Sequence, residues 1–203
     1  MTHAAKRIVG FRRMKDGTRE DYALLQRLEA EFNAGTADRV FAHLAGLEDG
    51  LSVYRVSRLE HSLQAATRAE RDGADGDWVV TALLHDIGDL LAPMNHDSLA
   101  AAVLQPYVRE QCAWVLRHHG IFQLAYYGRH VGADPEARRK YAGHPCYDDA
   151  VTFCERWDQA SFDPDYDSRS LEHFAPLVRE VFARPAWDEA VLCPGTRVPL
   201  VAG

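Results

Sequence analysis

The sequence predicts an all-α protein folded as a compact helical bundle, and three observations indicate it. In segment after segment, apolar residues recur three or four positions apart, which is the spacing of one helix face. Capping residues, glycines and prolines stand at the ends of these segments. No stretch shows the alternation of polar and apolar residues that is typical of a half-buried strand, so a helical fold is favoured.

Residues 1–50 are expected to form an N-terminal helical extension that packs on the core. Thr18 and Asp21 resemble a capping box, and the helix that they open ends at Gly35. A second helix is predicted over residues 38–47. Both helices are interpreted as packing elements.

Residues 51–185 are expected to form the core and residues 186–203 a C-terminal tail, all within a single domain. A helix is predicted over about 56–72, and Asp77 is expected to cap the next one. This fourth helix carries a nearly unbroken apolar run and breaks at Gly88. Further helices are predicted from about residue 97, from Pro106 toward Gly120, over 121–130, from Pro135 to Tyr141, from Tyr147 to Asp158 and over 171–183.

Charge and cysteine content limit the classes of function. A net charge of -7 argues against a binder of nucleic acid or anionic membranes, so a small-molecule substrate is expected. No apolar stretch approaches the roughly 20 residues that span a bilayer. The N-terminus lacks the apolar core of a secretory signal, so a cytoplasmic protein is expected. The cysteines form no C-x-x-C pair and are interpreted as reduced, and the oligomeric state, monomer or dimer, is left open.

The adjacent pair His85-Asp86 is the candidate around which a site is predicted. It ends the apolar run of the fourth helix, where unpaired ionisable side chains would cost on the order of several kcal/mol. Hydrogen bonds or a metal ion must therefore satisfy the pair. The dipeptide alone is weak evidence, because about one is expected by chance and the chain contains a second, His96-Asp97.

More residues of metal-ligating type stand at the ends of other predicted helices: His61, His96, His118 or His119, and Asp158. Imidazole and carboxylate groups without thiolate suit iron, manganese, zinc or nickel. The set exceeds the three protein ligands of one catalytic zinc ion, so two metal ions are predicted, with Asp86 able to bridge them. Taken alone, each residue has a simpler interpretation: a hydrogen-bonded core histidine for His61, a residue before an N-cap for His96 and a helix-terminal charge for Asp158.

The order of these motifs along the chain resembles a known family. The motifs are Leu59-Glu60-His61-Ser62-Leu63-Gln64, His85-Asp86-Ile87-Gly88-Asp89, His96, His118-His119-Gly120 and Trp157-Asp158. They resemble the HD-domain superfamily and, within it, the mixed-valent di-iron oxygenases. These include myo-inositol oxygenase and the oxygenases that cleave the carbon-phosphorus bond of hydroxylated phosphonates. The phosphonate branch is the more similar, and the resemblance covers residues 59–182 and implies an HD-domain helical bundle.

The resemblance also implies a cofactor and a reaction. It implies two iron ions, Fe(II)/Fe(III), with O2 as co-substrate. The implied ligands are His61, His85 and Asp158 on one iron, His96 and His119 on the other, and the Asp86 carboxylate as the bridge between them. His118 is then expected to orient a ligand or a water molecule. The implied reaction is a four-electron oxidation that converts a hydroxyphosphonate into a carboxylate and phosphate.

Contacts with the substrate are predicted from position alone. Asp89 stands where related oxygenases carry a basic residue, which favours a cationic substrate group such as an amine or quaternary ammonium; Asp89 equally suits a cap of the following turn. Leu51 and Tyr54 stand where the aminophosphonate enzyme carries its lid residues. The other pocket candidates are Gln123, Tyr126, Tyr127 and His144, and the cations considered for holding a phosphonate are Arg129, Lys140 and Arg156.

Three classes of function follow from this reading. The leading one is an O2-dependent di-iron oxygenase that cleaves a small hydroxylated substrate, an organophosphonate with a cationic nitrogen. The alternative is an HD-type metal-dependent phosphohydrolase of a nucleotide or phosphomonoester, which consumes no O2. The third is a non-catalytic, metal-stabilised binding module, which retains metal without turnover.

Overall fold

All regular structure in residues 8–201, the part of the chain that the computed structural model describes, is helical. The all-α prediction is therefore confirmed. The α-helices are α1 (Arg19–Ala34), α2 (Thr36–Ala45), α3 (Arg58–Arg71), α4 (Gly76–Leu84), α5 (His96–Leu104), α6 (Glu110–Tyr127), α7 (Tyr147–Phe153), α8 (Leu171–Phe182) and α9 (Glu189–Leu192). Short 3-10 turns cover Met14–Asp16, Gly46–Asp49, Gly128–Val131 and Ala137–Tyr141, and a π-helical turn over Cys154–Asp158 continues α7. The outermost residues of the predicted N-terminal extension and C-terminal tail, 1–7 and 202–203, lie outside the described part.

Side-chain caps open several of these helices. The predicted capping box of α1 is present: Thr18 accepts a hydrogen bond from the backbone N–H of Asp21, and the Asp21 carboxylate accepts one from the backbone N–H of Thr18. At α4 the predicted cap is wrong, because Asp75 rather than Asp77 accepts from a first-turn N–H. The carboxylate of Asp77 is buried and accepts from the backbone N–H of Arg109 at 3.0 Å, so it joins α4 to the start of α6.

α6 is one continuous helix of 18 residues, where the sequence suggested two segments divided near Gly120. Glycine costs about 1 kcal/mol relative to alanine inside a helix, but it does not end this one. A Cβ at Gly120 would lie 3.4 Å from the Asp97 carboxylate on α5. The buried Phe122 continues the apolar face beyond the glycine, so the helix does not end there. The predicted helix over 135–141 is shorter and forms the 3-10 turn Ala137–Tyr141.

α4 lies at the centre of the fold. Its residues from Asp77 to Leu84 are all buried, so the apolar run is enclosed on every side, as expected for a helix that is hydrophobic all round. α3 and α8 pack against it, and the rings of Trp78 and Trp157 meet edge to face with centroids 6.2 Å apart. The residues that directly follow the helix are therefore buried inside the protein.

The N-terminal helices lie at the edge of the bundle. α1 contributes no buried residue, whereas α2 packs against α8 and buries Ala37 and Leu44. At the other end of the chain, the carbonyl of Val198 accepts hydrogen bonds from the side chains of Trp78 and Gln111. Within residues 8–201, every helix is too short or too polar to cross a membrane.

Candidate metal centre

Four histidine rings in the interior are oriented by the main chain. Nδ1 of His61, His85 and His119 lies 2.9, 2.7 and 2.7 Å from a backbone carbonyl oxygen. Nδ1 of His96 has a longer contact, 3.5 Å, to the carbonyl three residues before it. A carbonyl oxygen only accepts, so each Nδ1 carries a proton and each Nε2 presents its lone pair. All four lone pairs face the same region of the molecule.

The first cluster joins α3, α4 and the π-helical turn. The Nε2 atoms of His61 and His85 are 2.9 Å apart. Oδ1 of Asp158 lies 3.4 Å from the first nitrogen and 3.5 Å from the second. Oδ2 of Asp86 lies 3.2 Å from both. Two nitrogens and two oxygens thus surround one point.

The second cluster joins α5 and α6 to the same aspartate. The Nε2 atoms of His96 and His119 are 3.2 Å apart. Oδ1 of Asp86 lies 3.4 Å from each of them. The two oxygens of one carboxylate therefore face two different histidine pairs, which is the placement that a bridging ligand needs.

The donor set fits a pair of metal ions. Lone pairs at the separations within the two histidine pairs repel each other unless a proton or a cation lies between them. Oδ2 of Asp158 is buried and has no hydrogen-bond partner. Nitrogens bound at about 2.1 Å to one ion lie about 3.0 Å apart at an octahedral angle and about 3.4 Å apart at a tetrahedral one. The separation of 2.9 Å in the first pair is close to the octahedral value, and the 3.2 Å in the second lies midway between the two.

Electrostatics favour a positive charge between these groups. Burial acts to lower the pKa of His85, but the carboxylates of Asp86 and Asp158 outweigh it and raise that pKa well above its ordinary value. Burial acts to raise the pKa of Asp86, but His85 and Arg58 outweigh it and hold that pKa well below its ordinary value. In the metal-free protein a proton supplies the positive charge, and a metal ion supplies it more strongly.

Gly88 brings the two clusters together. An added Cβ at this position would lie 2.5 Å from the carbonyl oxygen of His96 and 2.6 Å from its Cα. Both neighbours are backbone atoms, so neither can swing away. The absence of a side chain at Gly88 is what allows the start of α5 to approach the loop that carries Asp86.

The π-helical turn positions Asp158. The backbone N–H of Gln159 bonds to the carbonyl of Cys154 at 3.0 Å, five residues back, which widens the helix by one residue. Next to it, the carboxylate of Asp72 accepts two hydrogen bonds from Arg156 and one from Trp157, which ties the turn to the end of α3. A regular α-helix would rotate the residues after Cys154, so the wide turn decides that Asp158 faces the histidines.

Arg58 is a site residue that sequence reasoning missed. Its side chain is 12% exposed and donates hydrogen bonds to Asp86 Oδ2 and Asp89 Oδ2. It stands three residues before His61 in α3, and this helical spacing was the available signal. Asp89, which was expected to attract a cationic substrate, is thus already paired with a guanidinium, and its other oxygen lies 3.6 Å from Nδ1 of His96.

A cavity of about 850 Å³ opens onto both clusters. Of the predicted substrate contacts, five line it: Tyr54, Asp89, Gln123, Tyr126 and Tyr127. Oε1 of Gln123 is buried without a hydrogen-bond partner. Residues not anticipated as substrate contacts also line the wall, among them Arg55, Arg58 and Phe162. The ring of Phe162 stacks on His61 at 4.3 Å between centroids and packs against Tyr54 at 5.2 Å.

The other predicted contacts lie elsewhere. Arg156 pairs with Asp72, Arg129 is exposed on the turn after α6, and the Lys140 ammonium lies 4.8 Å from the ring of the neighbouring Tyr141. The ring of His144 stacks on Trp114 at 4.0 Å.

His118 is also turned away from the cluster that holds His119. Its Nδ1 lies 2.7 Å from the Trp114 carbonyl, and its ring contacts Trp114 and Tyr141. Burial lowers the pKa of His118. Adjacent helix positions point about 100° apart, so the role of orienting a ligand has no support in these contacts.

Comparison with known proteins adds one finding. Residues 58–151 match the family model of the HD domain. Five of the six clustered residues lie in this range, and Asp158 follows it. Curated proteins yielded no match to the chain. The matched region supports membership of the HD-domain superfamily, in which metal-dependent enzymes are common.

Proposed function

On the premise that residues 58–151 form an HD domain, we propose that the protein is an O2-dependent di-iron oxygenase that cleaves the carbon-phosphorus bond of a small hydroxylated organophosphonate. The observation that supports it best is the Asp86 carboxylate, which turns one oxygen to each of two histidine pairs. The family match by itself extends only to a metal-dependent hydrolase or oxygenase. The reaction class is taken from the resemblance of the motifs.

The donor atoms favour iron over zinc. The first histidine pair has a nitrogen separation near that of octahedral coordination, and the second pair's separation fits octahedral and tetrahedral coordination equally. Two imidazoles with carboxylate oxygens are typical of non-heme iron sites, and no thiolate takes part. The second cluster offers only three protein ligand atoms, so an octahedral ion there would keep positions for substrate.

The side chains around the two clusters have different roles in binding. Two iron ions, when bound, would supply electrons to O2 and polarise the oxygens of the substrate. Arg58 holds Asp86 in place through its guanidinium. Oε1 of Gln123 is available to accept a hydrogen bond from the substrate hydroxyl. The rings of Tyr126, Tyr127 and Phe162 form an aromatic wall of the cavity.

The overall reaction balances with one O2. A 1-hydroxyphosphonate loses its C–H and C–P bonds, O2 accepts four electrons, and the products are a carboxylate, hydrogen phosphate and one proton. The charge of Asp89 led us to expect a cationic nitrogen on the substrate. Because Asp89 pairs with Arg58, we do not propose one. The aromatic walls accept an ammonium or an apolar group equally well.

Electron paramagnetic resonance on iron-reconstituted, partly reduced protein tests the proposal. A coupled Fe(II)/Fe(III) signal that changes on addition of 1-hydroxyethylphosphonate, with uptake of one O2 for each phosphate released, is expected. Asp86→Asn should abolish the coupling, whereas Asp165→Asn, which alters an exposed carboxylate outside the cavity, should leave it intact. Phosphate release from phosphomonoesters without O2 uptake would refute the oxygenase.

A phosphohydrolase is the second candidate, and the HD-domain match favours it as much as the oxygenase. In that case a metal-bound water would attack phosphorus, and zinc, which is redox-inert, would support turnover as well as iron does. Turnover under anaerobic conditions therefore separates the two enzymes. Stable metal binding without turnover of either substrate class would leave the non-catalytic binding module.

A further inference from the structure

The charged residues that line the cavity are paired with one another, with one exception. Arg58 pairs with Asp86 and Asp89, and the carboxylates of Asp86 and Asp158 face the histidine rings. Arg55 also lines the cavity. Among residues 8–201 its guanidinium has no hydrogen bond and no ion pair. The unpaired charge in this wall is therefore positive.

The backbone that carries Arg55 is held on both sides. Before it, the ring of Tyr54 packs against Phe162 with centroids 5.2 Å apart. After it, Val56 is buried, and the Ser57 hydroxyl donates to Glu48 at 2.6 Å while accepting from the first turn of α3 at 3.0 Å. The side chain thus extends from a fixed anchor, which lowers the entropic cost of binding a partner.

The surroundings of Arg55 disfavour a cation. The Arg58 guanidinium lies 5.5 Å from the centroid of the Tyr54 ring, but its charge is offset by the carboxylates of Asp86 and Asp89. The carboxylate of Asp89, which was expected from the sequence to attract a cation, already forms an ion pair with Arg58. The unpaired guanidinium of Arg55 would repel an ammonium group and attract an anion.

We infer that Arg55 determines specificity by binding a second anionic group of the substrate, at the end remote from the hydroxylated carbon. The inference rests on the proposed function for the orientation of the substrate, with the hydroxylated end at the histidine clusters. It narrows the substrate class to hydroxyphosphonates that carry a distal carboxylate or a similar anion. A cavity of about 850 Å³ has room for both ends of such a molecule.

Anaerobic calorimetry on iron-loaded protein tests this without turnover. The probes are three ligands of similar length: 4-carboxy-1-hydroxybutylphosphonate, 1-hydroxypentylphosphonate and 1-hydroxy-4-(trimethylammonio)butylphosphonate. The carboxylate is expected to bind about tenfold more tightly than the methyl-ended ligand, because it gains a charge-assisted hydrogen bond, and the ammonium more weakly than either. Arg55→Gln should remove the carboxylate's advantage, and Arg55→Lys should restore part of it.

Arg27→Gln is the matched control, since Arg27 is likewise exposed but lies on α1 outside the cavity. It should leave all three affinities unchanged. Equal loss of affinity for the carboxylate and methyl-ended ligands in Arg55→Gln, or tightest binding of the ammonium by the wild type, would overturn the inference.

A second pair of ligands distinguishes failure of the inference about Arg55 from failure of the proposed function. 2-Hydroxyadipate and 2-hydroxyhexanoate have the same chain length and differ only in the distal carboxylate. A preference for the adipate that depends on Arg55, with no binding of any phosphonate, would uphold Arg55 as the anion site and refute phosphonate as the substrate class. No dependence on Arg55 in either series would overturn the inference.

Discussion

Replacing Gly88 by alanine should damage one histidine cluster and spare the other. The new Cβ would meet backbone atoms of His96, at 2.5 and 2.6 Å. His96 belongs to the second cluster, whereas the histidines of the first lie on α3 and at the end of α4. The expected result is loss of one metal ion per chain while the other is retained.

The size of the displacement follows from the contacts. Ordinary van der Waals contact begins at 3.4 Å, so the His96 backbone must retreat by about 0.9 Å. A shift of about 1 Å in one ligand is enough to lower activity by about a hundredfold. Forcing an extra methyl group into a packed site costs about 1–3 kcal/mol, which corresponds to a fall in melting temperature of roughly 2–12 °C for a chain of this size.

Metal analysis by mass spectrometry and differential scanning calorimetry measure the two effects. Gly143→Ala is the matched control, because an added Cβ there meets nothing within 4 Å. The control should keep two ions per chain and the melting temperature of the wild type. A Gly88→Ala protein with two ions, full stability and full activity would refute the packing argument.

Three further outcomes are expected. Arg58→Gln should lower the free energy of unfolding of the metal-free protein by about 3–5 kcal/mol, and that of the loaded protein by less, because bound metal replaces the lost counter-charge; urea titrations of both forms measure this. Asp72→Asn should cost about 1–3 kcal/mol at pH 7. The hydrogen bond from Arg156 holds the pKa of Asp72 below its ordinary value, so this stabilisation is full above about pH 4 and is lost as the pH falls through the lower folded-state pKa; the urea midpoints of variant and wild type should converge in acid. Ellman's reagent should react with Cys193 alone in the native protein, since the other cysteines are buried, and with all 4 after denaturation.

The histidine ligands were predictable from sequence because each stands at a feature that sequence displays. His85 ends a continuous apolar run, and His61 stands in a helix with a clear apolar face. His96 stands at the start of α5, where the sequence predicted a helix boundary, whereas the boundary expected after His119 is absent because α6 continues through Gly120. The structure brings all four together with Asp86, although their role as metal ligands stays a prediction.

The contacts of the arginine side chains, in contrast, were not predictable from the sequence. Arg156 is two residues from Asp158 in the chain, but it points to Asp72 on the other side of the π-helical turn. Nearness in sequence does not place two side chains on the same helix face, and a change in helix width is invisible to a pattern with a fixed period. Arg55 precedes α3 and reaches the cavity from the loop before it, whereas Arg58 lies in α3, where its spacing from His61 was the available signal.

The hydrogen bonds from histidine Nδ1 atoms to backbone carbonyls affect how such a site can evolve. For His61, His85 and His119, these bonds make the orientation of the ring depend chiefly on the course of the main chain. Side chains in the cavity wall that do not contact these rings can therefore be exchanged during evolution without disturbing the three nitrogens. A scaffold of this kind separates what is inherited, the donor atoms, from what is free to diverge, the preference for a substrate.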